Sequence, residues 1–172
     1  MNVQRGWGYP CVGAAGTRFF RSARHLALGT TIKTAGSQQA FRAVDFDANL
    51  AVARAARAAG ARRCGLVSAM AASSTSKVFY NRVKGELEDA VSGLSFEGLV
   101  IVRPSVLVGD RHSLGQPQRP LEAAFTFASN ILGPLIPANY RPVDADRVAG
   151  ILTERTPAAN GRTIFLSGVM QP

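Results

Sequence analysis

Residues 64–104 read CGLVSAMAASSTSKVFYNRVKGELEDAVSGLSFEGLVIVRP. The stretch opens on Cys64-Gly-Leu-Val-Ser68, a short apolar run of strand character, and closes on Gly98-Leu-Val-Ile-Val102. A continuous β-branched run of that kind is the mark of a strand covered on both faces. Pro104 ends it. Between the two runs lie a Ser/Thr-rich loop, Ala71 to Ser76, and a helical segment from Val78 to Leu94 carrying Arg82, Lys84, Glu86 and Glu88. Strand, helix, strand in this order predicts a βα unit, and hence a parallel sheet.

The same alternation extends outward in both directions. His25 to Leu28 reads as a short strand ended by Gly29-Thr30-Thr31. Asp47 to Ala59 reads as a helix whose Leu50, Ala53, Ala56 and Ala59 form a small-residue stripe, with Gly60 as its stop. Downstream, Leu121 to Leu132 and Asp144 to Glu154 read as helices, Gly133 to Pro142 as an irregular Pro-rich excursion, and Thr163 to Leu166 as a last strand. The expected fold class is α/β, a parallel sheet flanked by helices. Met1 to Arg24 reads as an irregular basic segment preceding one domain from His25 to Pro172.

Composition narrows the function classes. The 172 residues are 47% hydrophobic and 18% charged, which argues against a disordered chain. No apolar run approaches the ~20 residues of a membrane span, and no secretory signal is read in Met1 to Gly16. Cys11 and Cys64 cannot build a disulfide framework, so a reducing cytoplasm is the default expectation. The formal charge is +9, with arginine supplying 17 of the 20 basic residues. Arg5, Arg18, Arg21, Arg24, Lys33 and Arg42 all precede the first acidic residue, Asp45. A basic arm can touch phosphates without reading sequence. No nucleic-acid-binding motif accompanies it, and the arginines scattered among alanines read as compositional bias, so a nucleic-acid partner is not expected. His25, His112, Cys11 and Cys64 lack metal-ligand spacing, so no metal is expected. No Gly-x-Ser-x-Gly elbow and no Gly-x-x-x-x-Gly-Lys loop occurs, which disfavours a hydrolase and a P-loop enzyme.

The most informative local pattern is Tyr80-Asn-Arg-Val-Lys84. Residues four apart share a helical face, so a phenol and an ammonium can address one place. A nearby cation favours phenolate, which is what a tyrosine acid/base needs. Taken alone the pattern is weak, since a surface lysine and a half-buried tyrosine on an amphipathic helix look the same. Ser68 adds context. It stands at the carboxyl end of a predicted strand, the edge where open α/β sheets bind ligands, and its hydroxyl can hydrogen-bond a substrate carbonyl there.

A strand, a serine and a helix bearing Tyr-x-x-x-Lys, in that order, resemble the short-chain dehydrogenase/reductase superfamily. The segments Leu28-Gly-Thr-Thr-Ile-Lys-Thr-Ala-Gly-Ser37 and Val44-Asp-Phe-Asp47 are similar to its atypical branch, which includes the Tat-interacting-protein oxidoreductases. So are Tyr80-Asn-Arg-Val-Lys-Gly-Glu-Leu-Glu88, Arg103-Pro-Ser-Val-Leu-Val-Gly-Asp-Arg111 and Pro142-Val-Asp-Ala-Asp146. The resemblance implies a Rossmann-like fold and NADP or NAD as cofactor. It implies Ser68, Tyr80 and Lys84 as the catalytic trio, with Lys84 also holding the nicotinamide ribose. By the same resemblance Gly29, Thr30 and Thr31 would line the cofactor, and Pro104 to Val106 would pass beside the nicotinamide. The substrate would be a small-molecule carbonyl or alcohol.

Such proteins open with a strand, a glycine-rich turn that takes the pyrophosphate, a helix and a second strand. Only Met1 to Ala27 precede Leu28 here, and Val12-Gly-Ala-Ala-Gly16 has no apolar strand before it. The expectation is a missing or replaced cofactor-binding half, weak or absent binding of NADP or NAD, and an exposed sheet edge inviting a homodimer. The rival expectation is a non-catalytic Rossmann-like interaction or regulatory protein.

Overall fold

The structure, a computed structural model, describes residues 23–108 and 137–171. The readings made on Val12–Gly16, Cys11, His112 and Leu121–Leu132 lie outside the described residues.

Four parallel strands form the central sheet in the order β1 (Ala23–Leu26), β2 (Arg63–Val67), β3 (Gly98–Arg103) and β6 (Gly161–Leu166). A second, two-stranded parallel sheet joins β4 (Leu107–Val108) to β5 (Val143–Asp144). The α/β expectation holds: a parallel four-stranded sheet flanked by helices, consistent with a Rossmann-like fold. Among the described residues nothing pairs with the outer edge of β1.

Alternation along the strands sorts the core into two layers. Leu26, Cys64, Leu66, Leu99 and Ile101 face one side and pack with Leu50 and Ala53 of α3 (Asn49–Ala58) and Leu87 and Val91 of α4 (Phe79–Ser92). Val100 and Val102 face the other side, against Val148 and Leu152 of α5 (Ala145–Arg155). Buried on both faces, β3 carries the unbroken apolar run that its sequence showed. On the second face a side chain at residue 65 would collide with His25, Leu152 and Thr156, so Gly65 is where α5 closes on the sheet.

Two readings shift. The first strand lies at Ala23–Leu26 rather than His25–Leu28, and Leu28 is 47% exposed. Past Leu26 the backbone finds side chains instead of a ladder: the Leu28 carbonyl accepts from Asn49 Nδ2, and the Thr30 amide donates to Asp45. Ala23 and Arg24, assigned to the irregular segment, therefore belong to the sheet.

The alanine-rich helix also starts earlier than Asp47. Short α1 (Ile32–Ala35) ends on Gly36 at φ 82, and Ser37 then caps α2 (Gln38–Arg42) by accepting from the Ala40 amide. A π-helical segment, Ala43–Ala48, carries α2 into α3 without a break. Leu50, Ala53 and Ala56 of the expected stripe are buried, but Ala59 is exposed because the helix ends at Ala58. The other described elements that were read from the sequence match to within two residues, while α1, α2 and the β4–β5 pair had no reading. Asp144 caps α5 by accepting from the Asp146 amide.

Candidate functional site

The carboxyl edge of the parallel sheet gathers most of the residues singled out in the sequence. The loop after β1 carries Gly29, Thr30 and Thr31, Ser68 follows β2, Pro104 follows β3, and α4 starts with Phe79 and Tyr80. The Ser68 amide donates to the Val102 carbonyl at 2.8 Å, and the Met70 amide to the Pro104 carbonyl at 3.1 Å. These bonds carry the β2–β3 ladder past the strands themselves and hold Ser68 at the sheet's rim. Ser68 is buried, and among the described residues its Oγ has no hydrogen-bond partner. A buried hydroxyl without a partner is uncommon, because leaving it unpaired costs stability.

Tyr80 and Lys84 share a helical face, and what they face is the preceding helix. The Tyr80 ring lies 5.6 Å from that of Phe41 on α2, and Lys84 Nζ lies 2.6 Å from Asp45 Oδ1 in the π segment. Two residues four apart on one helix thus meet two residues four apart on the other. Phe41, Asp45 and Lys84 are all buried. Asp45 Oδ1 accepts no directed hydrogen bond and meets the ammonium as an ion pair. Its other oxygen, Oδ2, accepts from the Thr30 amide at 2.8 Å.

Gly29 belongs to the same cluster: a Cβ there would sit 3.6 Å from Asp45 Oδ1 and 3.9 Å from Lys84 Nζ. The residue 29 backbone therefore lies in contact range of the buried pair. Thr31 turns its hydroxyl to α1, accepting from the Thr34 amide at 3.1 Å. Pro104 is buried, and Val106 accepts from the Val143 amide at 2.8 Å, which begins the β4–β5 pair. The structure therefore brings Gly29, Thr30 and Lys84 together. It sets Ser68 and Pro104 side by side at the rim and gives Thr31 and Val106 local structural bonds.

Several residues that build the site were not singled out by the sequence reading. Gly85 lets the loop at residues 69–78 lie on α4, where the Ser73 amide donates to the Asn81 carbonyl at 3.0 Å. Asn49 holds the π segment by donating to the Leu28, Val44 and Asp45 carbonyls. Glu88, fully buried, accepts two bonds from Arg103, at 2.9 and 2.6 Å, and one from Arg162 at 3.4 Å, fastening α4 to β3 and β6. The bonded carboxylate raises the Arg103 pKa above its ordinary value. The sequence signal for Asp45 was present, since it lies in the quoted Val44–Asp47 motif, but spacing alone did not connect it to Lys84. Among the described residues no His, Cys, Asp and Glu cluster could hold a metal, and no helix is long and apolar enough to cross a membrane.

Sequence comparison adds relatives. The chain is similar to fungal proteins named FMP52, mitochondrial. It is 37% identical to the Candida albicans protein over 128 residues, 73% of this chain and 54% of that protein. The Emericella nidulans protein is 42% identical over 107 residues, 62% of this chain and 44% of that one. The Meyerozyma guilliermondii protein is 45% identical over 87 residues, 51% and 38% of the two chains. This chain spans about half the length of the curated relatives it matches. No family model matches it. The relatives overturn the cytoplasmic expectation, because their names place them in the mitochondrion. Two cysteines distinguish a reducing compartment from an oxidising one, and both cytosol and mitochondrial matrix satisfy that test.

Proposed function

We propose that this chain carries the catalytic part of an NAD(P)-dependent oxidoreductase of the short-chain dehydrogenase/reductase type, working in the mitochondrion on a small carbonyl or alcohol. One observation carries the reading: a buried, unpartnered Ser68 hydroxyl at the rim of a parallel sheet whose next helix presents Tyr80 and Lys84 on one face. The site's features suit the nicotinamide–ribose half of a dinucleotide. Gly29 brings bare backbone beside the Asp45–Lys84 pair, and the Lys84 ammonium offers hydrogen bonds to ribose hydroxyls. A nicotinamide bound there supplies or takes up the hydride.

The chain's own groups do the rest. The Ser68 hydroxyl donates to the substrate oxygen and holds the carbonyl in place. The Tyr80 phenol gives that oxygen its proton on reduction and takes it back on oxidation, as a positioned acid/base does. Phe41 supports the Tyr80 ring from behind, and Asp45 restrains Lys84. The mitochondrial placement draws on the relatives' names.

NADPH titration followed by nicotinamide fluorescence, with aldehyde reduction as the activity readout, tests the proposal. Saturable binding is expected, weakened in Lys84→Met to a Kd that the titration still reads and retained in Tyr80→Phe, with turnover reduced at least 10²-fold in Tyr80→Phe. A parent chain that binds no NADPH refutes the enzyme reading in favour of a non-catalytic interaction protein. Tyr80→Phe turning over as fast as the parent removes Tyr80 from the mechanism.

A further inference from the structure

The catalytic pattern read from the sequence treats Lys84 as an independent cation. In the fold it is one half of a pair. Lys84 Nζ lies 2.6 Å from Asp45 Oδ1, and their side chains are 6% and 1% exposed. Two charges this far out of water hold each other firmly, because separating them leaves a buried charge uncompensated. The second Asp45 oxygen takes the Thr30 amide at 2.8 Å, so one carboxylate joins α4 to the loop after β1.

The backbone around Asp45 is built for this. Asp45 lies in a π-helical segment, and wider turns of that kind displace a side chain from where an α-helix would put it. Asn49 pins the segment from within, its Nδ2 reaching the Val44 and Asp45 carbonyls and the Leu28 carbonyl of the loop. Two independent bridges, Asp45 to Thr30 and Asn49 to Leu28, therefore fix the same loop to the same π turn. Neighbouring charges are accounted for elsewhere: Glu86 pairs with Arg42, and Glu88 with Arg103 and Arg162. Asp45 is the carboxylate that meets Lys84.

We propose that Asp45 is the positioning residue of this site: its carboxylate seats the Lys84 ammonium and, through the Thr30 amide, locks it to the loop that lines the ligand. The inference rests on the function proposed above and assigns a role to a residue outside the Ser68, Tyr80 and Lys84 trio. Asp45 acts through Lys84, so its effect on ligand binding vanishes once Lys84 is gone.

A double-mutant cycle read by NADPH affinity decides this. Asp45→Asn is expected to weaken NADPH about tenfold in the parent and by less than about twofold in a Lys84→Met background. A general structural role would weaken it equally in both backgrounds, and equal losses overturn the proposal. Asp45→Glu, which keeps the charge, is expected to recover most of the affinity, and no recovery overturns it as well.

A second measurement needs no cofactor. The chain has three lysines, and Lys33 and Lys77 are exposed, so acetylation by an N-hydroxysuccinimide ester followed by mass spectrometry reads Lys84 against two internal standards. Lys84 is expected to react at least about tenfold more slowly than either, and Asp45→Asn to shrink that gap with Lys33 and Lys77 unchanged, since a freed amine reacts faster than a paired one. An unchanged Lys84 rate overturns the seating role. A parent that fails to bind NADPH refutes the proposed function, and the acetylation contrast still decides whether Asp45 seats Lys84.

Discussion

Replacing Gly85 and Gly150 by alanine, one at a time, makes the same chemical change in two helices with opposite expected signs. At Gly85 in α4, the new Cβ would lie 2.6 Å from Ser73 Cα and nearer still to the Ser73 carbonyl carbon and the Ser74 nitrogen. Ordinary contact begins near 3.4 Å, so the loop or the helix must retreat by about an ångström. The obstacle is backbone on both sides and cannot swing away as a side-chain tip would. Overpacking of this kind costs ~1–3 kcal/mol or more, against ~1 kcal/mol gained from helix propensity. At Gly150 in α5, a Cβ meets nothing within 4 Å. Only the propensity gain remains there, and the helix is stabilised by ~0.5–1 kcal/mol.

For a chain of this size each kcal/mol moves the melting temperature by ~2–4 °C. Gly150→Ala should therefore raise Tm by ~1–4 °C, and Gly85→Ala should lower it by up to ~8 °C. Differential scanning calorimetry of the two variants beside the parent reads both. The loop displaced in Gly85→Ala joins Ser68 to Tyr80, so its ligand binding should suffer more than its stability. A Gly85→Ala variant as stable as Gly150→Ala would refute the placement of the Ser/Thr-rich loop against α4, and with it the route from Ser68 to Tyr80.

The other expectations concern charge and thiol chemistry. Glu88→Gln replaces the carboxylate that holds Arg103 and Arg162 with a neutral amide, and because both arginines keep part of their hydration the loss is ~1–3 kcal/mol; a Tm within 2 °C of the parent would show that Glu88 does not fasten α4. Burial pushes the Cys64 thiol up to about 12, so at pH 8 only about one molecule in 10⁴ carries its thiolate. In a Cys11→Ser background iodoacetamide should leave Cys64 untouched until the chain unfolds, and fast labelling of the folded protein would contradict its place under α3 and α4. Above pH 9.0, the ordinary thiol value, the unfolded chain releases the Cys64 proton while the folded chain keeps it. Stability should then fall by about 1.4 kcal/mol per pH unit from this group until pH 12 is approached, which a denaturant midpoint series against Cys64→Ala would separate.

Local sequence was sufficient for β2, α4, β3, α5 and β6, but α1, α2, the π segment and the β4–β5 pair were not read from it. Each apolar run from Cys64 to Val102 reports its own burial, and periodicity needs no knowledge of neighbours. The Tyr80–Lys84 face was legible for the same reason, since the helical repeat alone puts residues four apart together. Where β1 ends was not legible, because the chain past Leu26 bonds to Asn49 and Asp45, 21 and 15 residues away. The partners of Lys84 and Glu88 were hidden in the same way. A carboxylate's charge is written in the sequence, but which cation it meets is set by how helices cross a sheet. Asp45 reaches Lys84 across 39 positions, and Glu88 reaches Arg162 across 74. Sequence by itself determined that a phenol, an ammonium and a hydroxyl stand in βα order; only the packing of α2 and the π segment onto α4 decided that the ammonium is held by a buried acid, because that contact lies between elements and in none of them alone.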